Sequence, residues 1–422
     1  MILKNIRYLI KQDSDRRVLE KVDLKVVDDK IAAVGEELDA RGHDVIDCSD
    51  KAVIPGLVNA HTHISMTLLR GLSDNKQLQN WLEEDIFPAE DKIEPRDAYL
   101  GAMLGISEML KTGTTTFNDM YFHMDKVAEA VEDSGIRAVL SRGIIDEDGD
   151  REDIDEALNF VEKYQDHELV TPGFAPHAVY TASESALLEA RDYSEVFDVP
   201  YHIHVSETRK EVKDCIEETG ETPVQYLDSL GLVNQDLIAA HGVWLGEEDL
   251  DILSEKGGSV VHNPSANLKL GSGIAEVPVM LERGINVALG TDGVASNNNL
   301  NLFEEGKLTA LLHKRDDPRE IHEQEVLDMM TINGAKALGR GDEIGSIEIG
   351  KKADLVIIDL DRPEMNPVHG KEGLVSNLIY SFSGDVSDVI IDGRIVVREG
   401  ELRMFDDQKI IDEVDVRKNK FS

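Results

Sequence analysis

The run PGLVNAHTHI, residues 55–64, joins a short apolar strand to two histidines that lie two positions apart. Alternate side chains of a β-strand share a face, so His61 and His63 can point at one centre. Two imidazoles in this arrangement suit a borderline metal ion such as zinc. The run therefore predicts a strand that ends in a pair of metal ligands.

Seven further β-rich runs follow, and longer helical patterns such as Pro95–Lys111 separate the runs from one another. Eight strand–helix alternations over this length indicate an α/β fold, a (β/α)8 barrel of the TIM type, rather than an open doubly wound sheet. No glycine-rich phosphate fingerprint follows the first strand, which argues against a nucleotide-cofactor fold. The predicted strands are Val53–His61, Thr114–Asn118, Arg137–Ile145, Val170–His177, Tyr201–Glu207, Leu237–His241, Ser259–Asn263 and Asn286–Asp292.

Both ends of the chain differ from this pattern. Residues 1–52 and 345–405 contain short alternating segments with Asp/Gly turns and no predicted helix, and Asp392-Gly393 between two apolar runs indicates a hairpin. Neither end has enough strands for a core of its own, so we expect both to pair into one small β-sandwich. The predicted domains are a composite sandwich of residues 1–54 and 345–422 and a barrel of residues 55–344.

The chain is strongly acidic, with 84 acidic residues against 44 basic ones and a formal net charge of −40. The acidic residues are dispersed, and such a surface repels phosphate backbones and anionic membranes, so neither nucleic acid nor membrane is an expected partner. Self-repulsion of this size destabilises a compact fold at low salt. The composition therefore predicts a protein of a salt-rich cytoplasm, with an acidic, very soluble mesophilic protein as the alternative.

The cysteines and the first residues of the chain bear on its compartment. Cys48 and Cys215 stand alone without metal-knuckle spacing, as is typical of free thiols in a reducing compartment. The first 17 residues, MILKNIRYLIKQDSDRR, lack the apolar core and cleavage site of a signal peptide. A cytoplasmic location is the expectation.

Polar residues lie where several predicted strands end. His204 and Glu207 end the fifth strand, His241 ends the sixth, and Asp292 ends the eighth. Active sites of such barrels lie at the carboxyl ends of the strands. His204 can supply a third imidazole, and Glu207, slightly further along, can reach a reacting molecule.

Several blocks of sequence carry a resemblance. In order they are PGLVNAHTHISMTLLRGL, HIHVSE, AAHGVWL, VVHNPSANLKLGSG and LGTDGVASNNNL, with GSIEIGKKADLVIIDL near the end. Together they resemble the amidohydrolase superfamily and, within it, the 5-methylthioadenosine/S-adenosylhomocysteine deaminases, over essentially the whole chain. The resemblance implies a metal-dependent hydrolase that converts methylthioadenosine, S-adenosylhomocysteine and related adenosines such as 5′-deoxyadenosine to inosine derivatives and ammonia.

The resemblance also implies the ligand set. Many superfamily members bridge two metals with a carboxylated lysine at the end of strand four, but Val170–His177 contains no lysine. One divalent metal per chain is therefore expected, with zinc as the first choice and iron or manganese as alternatives. Its ligands are His61, His63, His204 and Asp292, with a water completing the shell.

In the same resemblance, three residues carry the reaction. Asp292 accepts the proton of the attacking water, and His241 stabilises the developing oxyanion. Glu207 protonates the ring nitrogen beside the attacked carbon and then returns protons to the departing ammonia.

Substrate recognition follows from the same family. An acid after a Trp-Leu segment holds the ribose hydroxyls, a role that falls to Glu90 after Trp81. His177 matches the residue that hydrogen-bonds the purine, and Arg142 matches one that can pair with the homocysteine carboxylate. The loop after Arg142 is acidic, and Arg151 is outnumbered there. This departure favours methylthioadenosine or 5′-deoxyadenosine over the carboxylated substrate.

Two rival functions remain at this point. The first is another mononuclear amidohydrolase, of the guanine or cytosine deaminase or triazine chlorohydrolase type. Its substrate would have no ribose, so a ribose-binding Glu90 would have no role. The second is a non-catalytic barrel that serves as a scaffold, although such proteins typically lose their metal ligands. The sequence leaves open whether the chain is a monomer or a homo-oligomer.

Overall fold

The computed structural model describes residues 1–146 and 151–421. Their strands form two sheets, one from the termini and one from the middle of the chain. In chain order the strands are β1 (Ile2–Ile10), β2 (Val18–Val27), β3 (Lys30–Gly35), β4 (Val45–Asp47), β5 (Lys51–Pro55), β6 (Leu57–Thr62), β7 (Thr114–Tyr121), β8 (Arg137–Ile144), β9 (Val170–Pro176), β10 (Tyr201–Val205), β11 (Leu237–His241), β12 (Ser259–His262), β13 (Asn286–Leu289), β14 (Leu355–Asp359), β15 (Asp388–Ile391), β16 (Arg394–Arg398) and β17 (Glu401–Leu402).

Helices follow most of the barrel strands, as the sequence predicts. In chain order they are α1 (Leu78–Trp81), α2 (Phe87–Glu90), α3 (Pro95–Lys111), α4 (Met124–Ser134), α5 (Glu152–Tyr164), α6 (Glu184–Phe197), α7 (Arg209–Thr219), α8 (Pro223–Ser229), α9 (Glu247–Lys256), α10 (Pro264–Lys269), α11 (Val277–Glu282), α12 (Val294–Asn297), α13 (Leu302–Leu312), α14 (Glu323–Met330), α15 (Ile332–Ala337), α16 (Gly370–Tyr380) and α17 (Asp407–Arg417). Short 3-10 turns lie at Ile64–Leu69, Pro363–Met365 and Lys418–Lys420, and a π turn at Leu82–Ile86. Among these described helices, none is both long and apolar enough to span a bilayer.

The middle sheet is the predicted barrel. Strands β6 to β13 pair in parallel and in chain order. The last strand returns to the first, where the Asp292 backbone N–H donates to the His61 carbonyl at 3.0 Å. The fold is therefore a nearly closed (β/α)8 barrel with an additional β-sheet domain, as expected. All eight carboxyl ends open on one face, where side chains from distant parts of the chain meet.

The prediction of one strand over Val53–His61 is wrong. Two strands occupy this stretch, and β5 pairs with β1 and β14 in the terminal sheet while β6 pairs with β7 in the barrel. Gly56 lies between them, and a Cβ added to Gly56 would fall 2.0 Å from the Thr115 hydroxyl oxygen. The chain can change sheets at this close approach only because residue 56 has no side chain.

The terminal sheet combines both ends of the chain in the strand order β17-β16-β15-β14-β5-β1-β2-β3, with β4 beside β1. The predicted hairpin joins β15 to β16, and Asp392 and Gly393 have the positive φ values of 48° and 70° that such a turn requires. The antiparallel pairing of β14 with β5 joins the strands of the two chain ends into one sheet. The domain boundaries at residues 54/55 and 344/345 stay a prediction.

The expectation that residues 345–405 lack a helix is also wrong, because α16 lies within them. Leu374 and Leu378 are spaced four apart and fully buried. Helix α16 packs against α13 and α14. The helical spacing is present in the sequence but is short and lies between strand patterns, and contact with the barrel helices stabilises it.

A buried ion-pair cluster joins the terminal sheet to the barrel. Arg137 at the amino end of β8 is 1 % exposed, and its guanidinium lies 3.2 Å from Asp354 and 2.7 Å from Asp392. Both carboxylates belong to the terminal sheet or its turns. The sheet is therefore attached at the amino-terminal end of the barrel, away from the face that carries active sites.

Candidate active site

The four predicted ligands converge at the carboxyl end of the barrel. His61 and His63 lie at the end of β6, His204 lies on β10, and Asp292 follows β13. His63 Nε2 is 3.3 Å from His204 Nε2 and from Asp292 Oδ1, and His61 Nε2 is 3.4 Å from Asp292 Oδ1. The donor atoms of His61 and His204 also lie within 4.8 Å of that of His241. Imidazole and carboxylate donors this close can share one metal ion.

Backbone carbonyls set the orientation of two of these imidazoles. His63 Nδ1 donates to the Met120 carbonyl at 2.6 Å, and His204 Nδ1 donates to the His177 carbonyl at 2.7 Å. A carbonyl only accepts, so the proton is on Nδ1 and the Nε2 lone pair faces the centre. Within the described residues, the buried His61 Nε2 has no hydrogen-bond partner. A buried donor atom left without a partner fits a site built for a cation.

The protonation states also suit metal binding. Burial lowers the pKa of His61 to about 3, so its imidazole is neutral. Burial alone would raise the pKa of Asp292, but the imidazoles of His61, His63 and His241 that face its carboxylate hold that pKa well below its usual range. Neutral imidazoles beside an ionised carboxylate are the forms in which these groups bind metals. The residues fit one divalent cation.

Two buried polar groups lie behind the ligands. His202 is fully buried, and its Nε2 is 3.0 Å from His61 Nδ1. Asp119 Oδ1 accepts from the Thr62 hydroxyl at 2.8 Å and from the Ile64 N–H at 2.6 Å. Asp119 thus binds both chain neighbours of His63, and groups of this kind fix the direction in which a ligand points.

Glu207 and His241 lie beside the ligand set. Glu207 Oε2 is 3.7 Å from His241 Nε2, and its Oε1 accepts from the Ser272 hydroxyl at 2.8 Å. Burial raises the pKa of Glu207, which favours a protonated carboxyl. His241 Nδ1 lies 2.8 Å from Asn267 Oδ1, an acceptor, and therefore carries a proton. Burial lowers the pKa of His241, but its interactions with Glu207, Asp292, Asn267 and Glu211 outweigh burial and raise that pKa.

These polar groups share one cavity with an apolar wall. Glu90 lines the cavity, and its Oε1 accepts from the Tyr121 hydroxyl at 2.6 Å. Burial raises the pKa of Glu90 to about 7. Trp81 and His177 also line the cavity, and burial lowers the pKa of His177 to about 4. Apolar side chains complete the wall: Met66, Leu78, Leu82, Phe87, Phe122 and Leu270.

The family can now be assigned. The sequence model of the Amidohydrolase family matches residues 52–396, a range that contains every strand of the barrel. The chain belongs to the amidohydrolase family.

Curated relatives of this amidohydrolase are similar along nearly their whole length. It is 43 % identical over 421 residues to a 5′-deoxyadenosine deaminase of Methanosarcina mazei, covering 98 % of this chain and 96 % of the relative. It is 44 % identical over 427 residues to a 5-methylthioadenosine/S-adenosylhomocysteine deaminase of Thermoanaerobacter pseudethanolicus, covering 99 % and 98 %. A crystal structure of an adenosine deaminase from Xanthomonas campestris with bound zinc has a TM-score of 0.95 at 37 % identity, covering 100 % of this chain and 98 % of that one. Both the family and these relatives indicate a hydrolase that catalyses deamination.

Among the predicted site residues of this amidohydrolase, Arg142 is the one that lies neither in the ligand set nor in the cavity wall. Its guanidinium forms ion pairs with Asp153 and, at 2.8 Å, with Glu156, and lies 5.0 Å from the Phe122 ring centre. Arg151 is paired with Glu189 at 2.5 Å. Of the acidic loop named in the sequence analysis, residues 147–150 lie outside the described residues. Asp153 and Glu156 of α5 already bind the Arg142 guanidinium. It is therefore not free for the expected role of binding a substrate carboxylate.

Several residues of the amidohydrolase site were missed from the sequence. Tyr121, Ser272 and Asn267 bond Glu90, Glu207 and His241 respectively. Ser272 and Asn267 fall in the quoted block VVHNPSANLKLGSG, which is the signal that could have identified them. Tyr121 ends β7, and its position at a strand end is the only comparable signal.

Proposed function

We propose that this amidohydrolase is a zinc-dependent deaminase that hydrolyses 5′-methylthioadenosine, S-adenosylhomocysteine and related adenosines, such as 5′-deoxyadenosine, to inosine derivatives and ammonia. One observation carries the proposal. A buried Glu207 beside the four ligands and a half-buried Glu90 face the same cavity. A proton donor at the reacting ring and a carboxylate for a ribose are the two groups that a nucleoside deaminase needs. The relatives named above support the same class of substrate.

In the proposed reaction, water adds to the ring carbon that carries the amino group. A bound divalent metal lowers the pKa of water so that hydroxide is available at neutral pH. Asp292 accepts the proton of the attacking water, and the protonated Glu207 donates to the neighbouring ring nitrogen. His241 donates from Nε2 to the oxygen that gains negative charge. The carbon–nitrogen bond then breaks. One of the two water protons passes to the amino group, which leaves as ammonia, and the other restores Glu207, while the ring nitrogen keeps the proton that Glu207 gave.

The metal content is the first prediction. We expect one metal ion per chain, zinc in preference to iron or manganese, because β9 offers no lysine to bridge a second ion. Zinc, iron and manganese all accept such donors, and zinc is favoured by the zinc-bound relative. Elemental analysis of protein purified without added metal measures this. A content near two ions per chain would contradict the single-metal site.

The substrate class is tested at Glu90. The proposed role of its carboxylate is to accept hydrogen bonds from both ribose hydroxyls. Losing hydrogen bonds to a charged group costs about 1.5–3 kcal/mol, so Glu90→Ala should lower kcat/KM for methylthioadenosine about tenfold to a hundredfold. Any activity on free adenine should hardly change. Steady-state ammonia release from adenosine analogues and free bases measures both.

The order of nucleosides follows from Arg142. Because Asp153 and Glu156 hold its guanidinium, a homocysteine carboxylate finds no free partner there. Methylthioadenosine or 5′-deoxyadenosine should therefore equal or exceed S-adenosylhomocysteine in kcat/KM. A wild-type enzyme that prefers guanine, cytosine or a chlorotriazine over every nucleoside would defeat the nucleoside proposal and leave the family assignment intact.

Salt dependence tests the proposed cellular setting, the cytoplasm of a high-salt organism. The screening length grows from about 3 Å at 1 M salt to about 30 Å at 0.01 M, so repulsion among dispersed charges that sum to −40 grows as salt falls. We expect the melting temperature and activity to fall over this range. A melting temperature that stays flat would refute adaptation to high salt. Light scattering on the same samples distinguishes a monomer from the proposed alternative of a homo-oligomer.

A further inference from the structure

Glu211, which the proposed reaction does not use, binds the backbone that carries Glu207. It is the third residue of α7, and the hydroxyl of the N-cap Thr208 accepts from its N–H at 3.1 Å. Its side chain reaches back along the chain. Oε1 accepts from the Ser206 N–H at 2.7 Å, and Oε2 accepts from the Glu207 N–H at 2.7 Å. One carboxylate thus holds two consecutive backbone donors.

This arrangement differs from an ordinary helix cap. In a capping box the third helical residue bonds the N–H of the N-cap residue, which here is Thr208. Glu211 in addition bonds the two residues before Thr208, outside the helix. The carboxylate is also buried, and this burial raises the pKa of Glu211 to about 7. A helix end needs no buried carboxylate, since an exposed side chain or water satisfies it.

The backbone at this point is one that needs support. Ser206 has a φ of 53°, in the left-handed region that non-glycine residues rarely adopt, and it is fully buried. Such a conformation persists only when surrounding contacts hold it. Charge-assisted hydrogen bonds to Glu211 from the N–H groups on both sides of the Ser206 Cα supply that support. The turn points Glu207 at Ser272 and His241.

We propose that Glu211 is a positioning residue for Glu207, holding the backbone of residues 206 and 207 so that the Glu207 carboxyl reaches the reacting ring. The inference rests on the proposed function, because it assigns Glu211 to the same proton transfer. Glu211 is not among the residues that line the cavity or form the ligand set, and within the described residues it reaches the site through its bond to the Glu207 N–H. Its hydrogen bonds should therefore act through Glu207, while its charge also contributes to the raised pKa of His241.

The test is a double-mutant cycle on the metal-loaded, full-length enzyme with methylthioadenosine. Glu211→Gln keeps one acceptor but turns an amide N–H₂ toward the second backbone donor. A misplacement of about 1 Å can cost about a hundredfold in rate, so kcat should fall by that order while KM changes less than about threefold. In a Glu207→Gln background the same change should cost far less, because Glu211 then has no acid to position.

Two variants serve as controls for this cycle. Glu217→Gln removes a charge from the exposed face of the same helix, where Glu217 pairs with Lys213, and should keep wild-type kcat. Glu211→Asp keeps the charge but shortens the side chain by one methylene, so its carboxylate reaches the two backbone donors less well and kcat should also fall. If Glu211→Gln does not fold, the Asp variant decides the question.

Several outcomes would overturn the inference. One is a kcat within about twofold of wild type for Glu211→Gln, or for Glu211→Asp where only that variant folds. Another is an equal loss in the wild-type and Glu207→Gln backgrounds, which marks a structural role independent of the acid. A wild-type enzyme that releases no ammonia from any adenosine-type nucleoside defeats the proposed function instead. The two failures are thus distinguishable.

Discussion

Replacing Glu207 by glutamine should lower kcat by about 10²–10⁴ while the fold and the metal content stay as in the wild type, because general acid–base groups are typically worth that factor. Glutamine has nearly the same size and can still accept from Ser272, but its amide cannot deliver a proton to the ring nitrogen. The carboxylate is not one of the proposed ligands, so metal should remain bound. Ammonia release, elemental analysis and thermal melting of the variant measure the three quantities.

A matched change on a neighbouring acid is the control for Glu207→Gln. Glu217→Gln removes a carboxylate ten residues further along, at an exposed position on α7, and should leave kcat unchanged. Wild-type turnover in Glu207→Gln would place the proton donor elsewhere. Glu90 would then be the candidate, since among the described residues it is the other glutamate that lines the cavity.

Arg137→Met should destabilise the fold more than any other substitution considered. It leaves the buried Asp354 carboxylate without its guanidinium partner, while Asp392 keeps Lys352 at 3.2 Å. Removing one partner of a buried ion pair typically costs about 3–5 kcal/mol. The expected result is a lower urea midpoint and a lower free energy of unfolding. Because the cluster lies at the amino-terminal end of the barrel, the folded variant should keep its kcat.

Arg319→Met is the control for the stability measurement. Arg319 pairs with Asp317 at 2.6 Å, but its side chain is 84 % exposed, where ion pairs contribute little. Its urea midpoint should match the wild type at the same salt. Equal midpoints for Arg137→Met and Arg319→Met would show that the buried cluster does not hold the terminal sheet to the barrel.

The barrel could be predicted because its pattern is local. Strand β10, for example, is a short apolar run with His202 and His204 on one face, and the period of two is visible in the sequence. Parallel strands in a closed barrel all end on one face, so residues at strand ends must meet there. This rule placed His204 and Asp292 together although 88 positions, the difference of their numbers, separate them in the chain.

Other features depended on contacts that no local pattern encodes. In the sequence, nothing distinguishes Gly56 from another glycine in a strand. In the structure, a Cβ at residue 56 would lie 2.0 Å from Thr115. The same holds for Tyr121, whose hydroxyl donates a hydrogen bond to Glu90, 31 positions away in the sequence. Such pairs are decided by the packing of whole elements against one another.

The sequence by itself thus determined the fold class, the order of the strands and the residues that end them, because hydrophobic periodicity and strand-end position are properties of short segments. Only the tertiary structure decided which long side chains are free to act. Arg142 is held by Asp153 and Glu156, and Glu211 turns back to the Glu207 backbone. The physical reason is that a flexible charged side chain takes the direction in which its nearest partners lie, and those partners are brought near by folding.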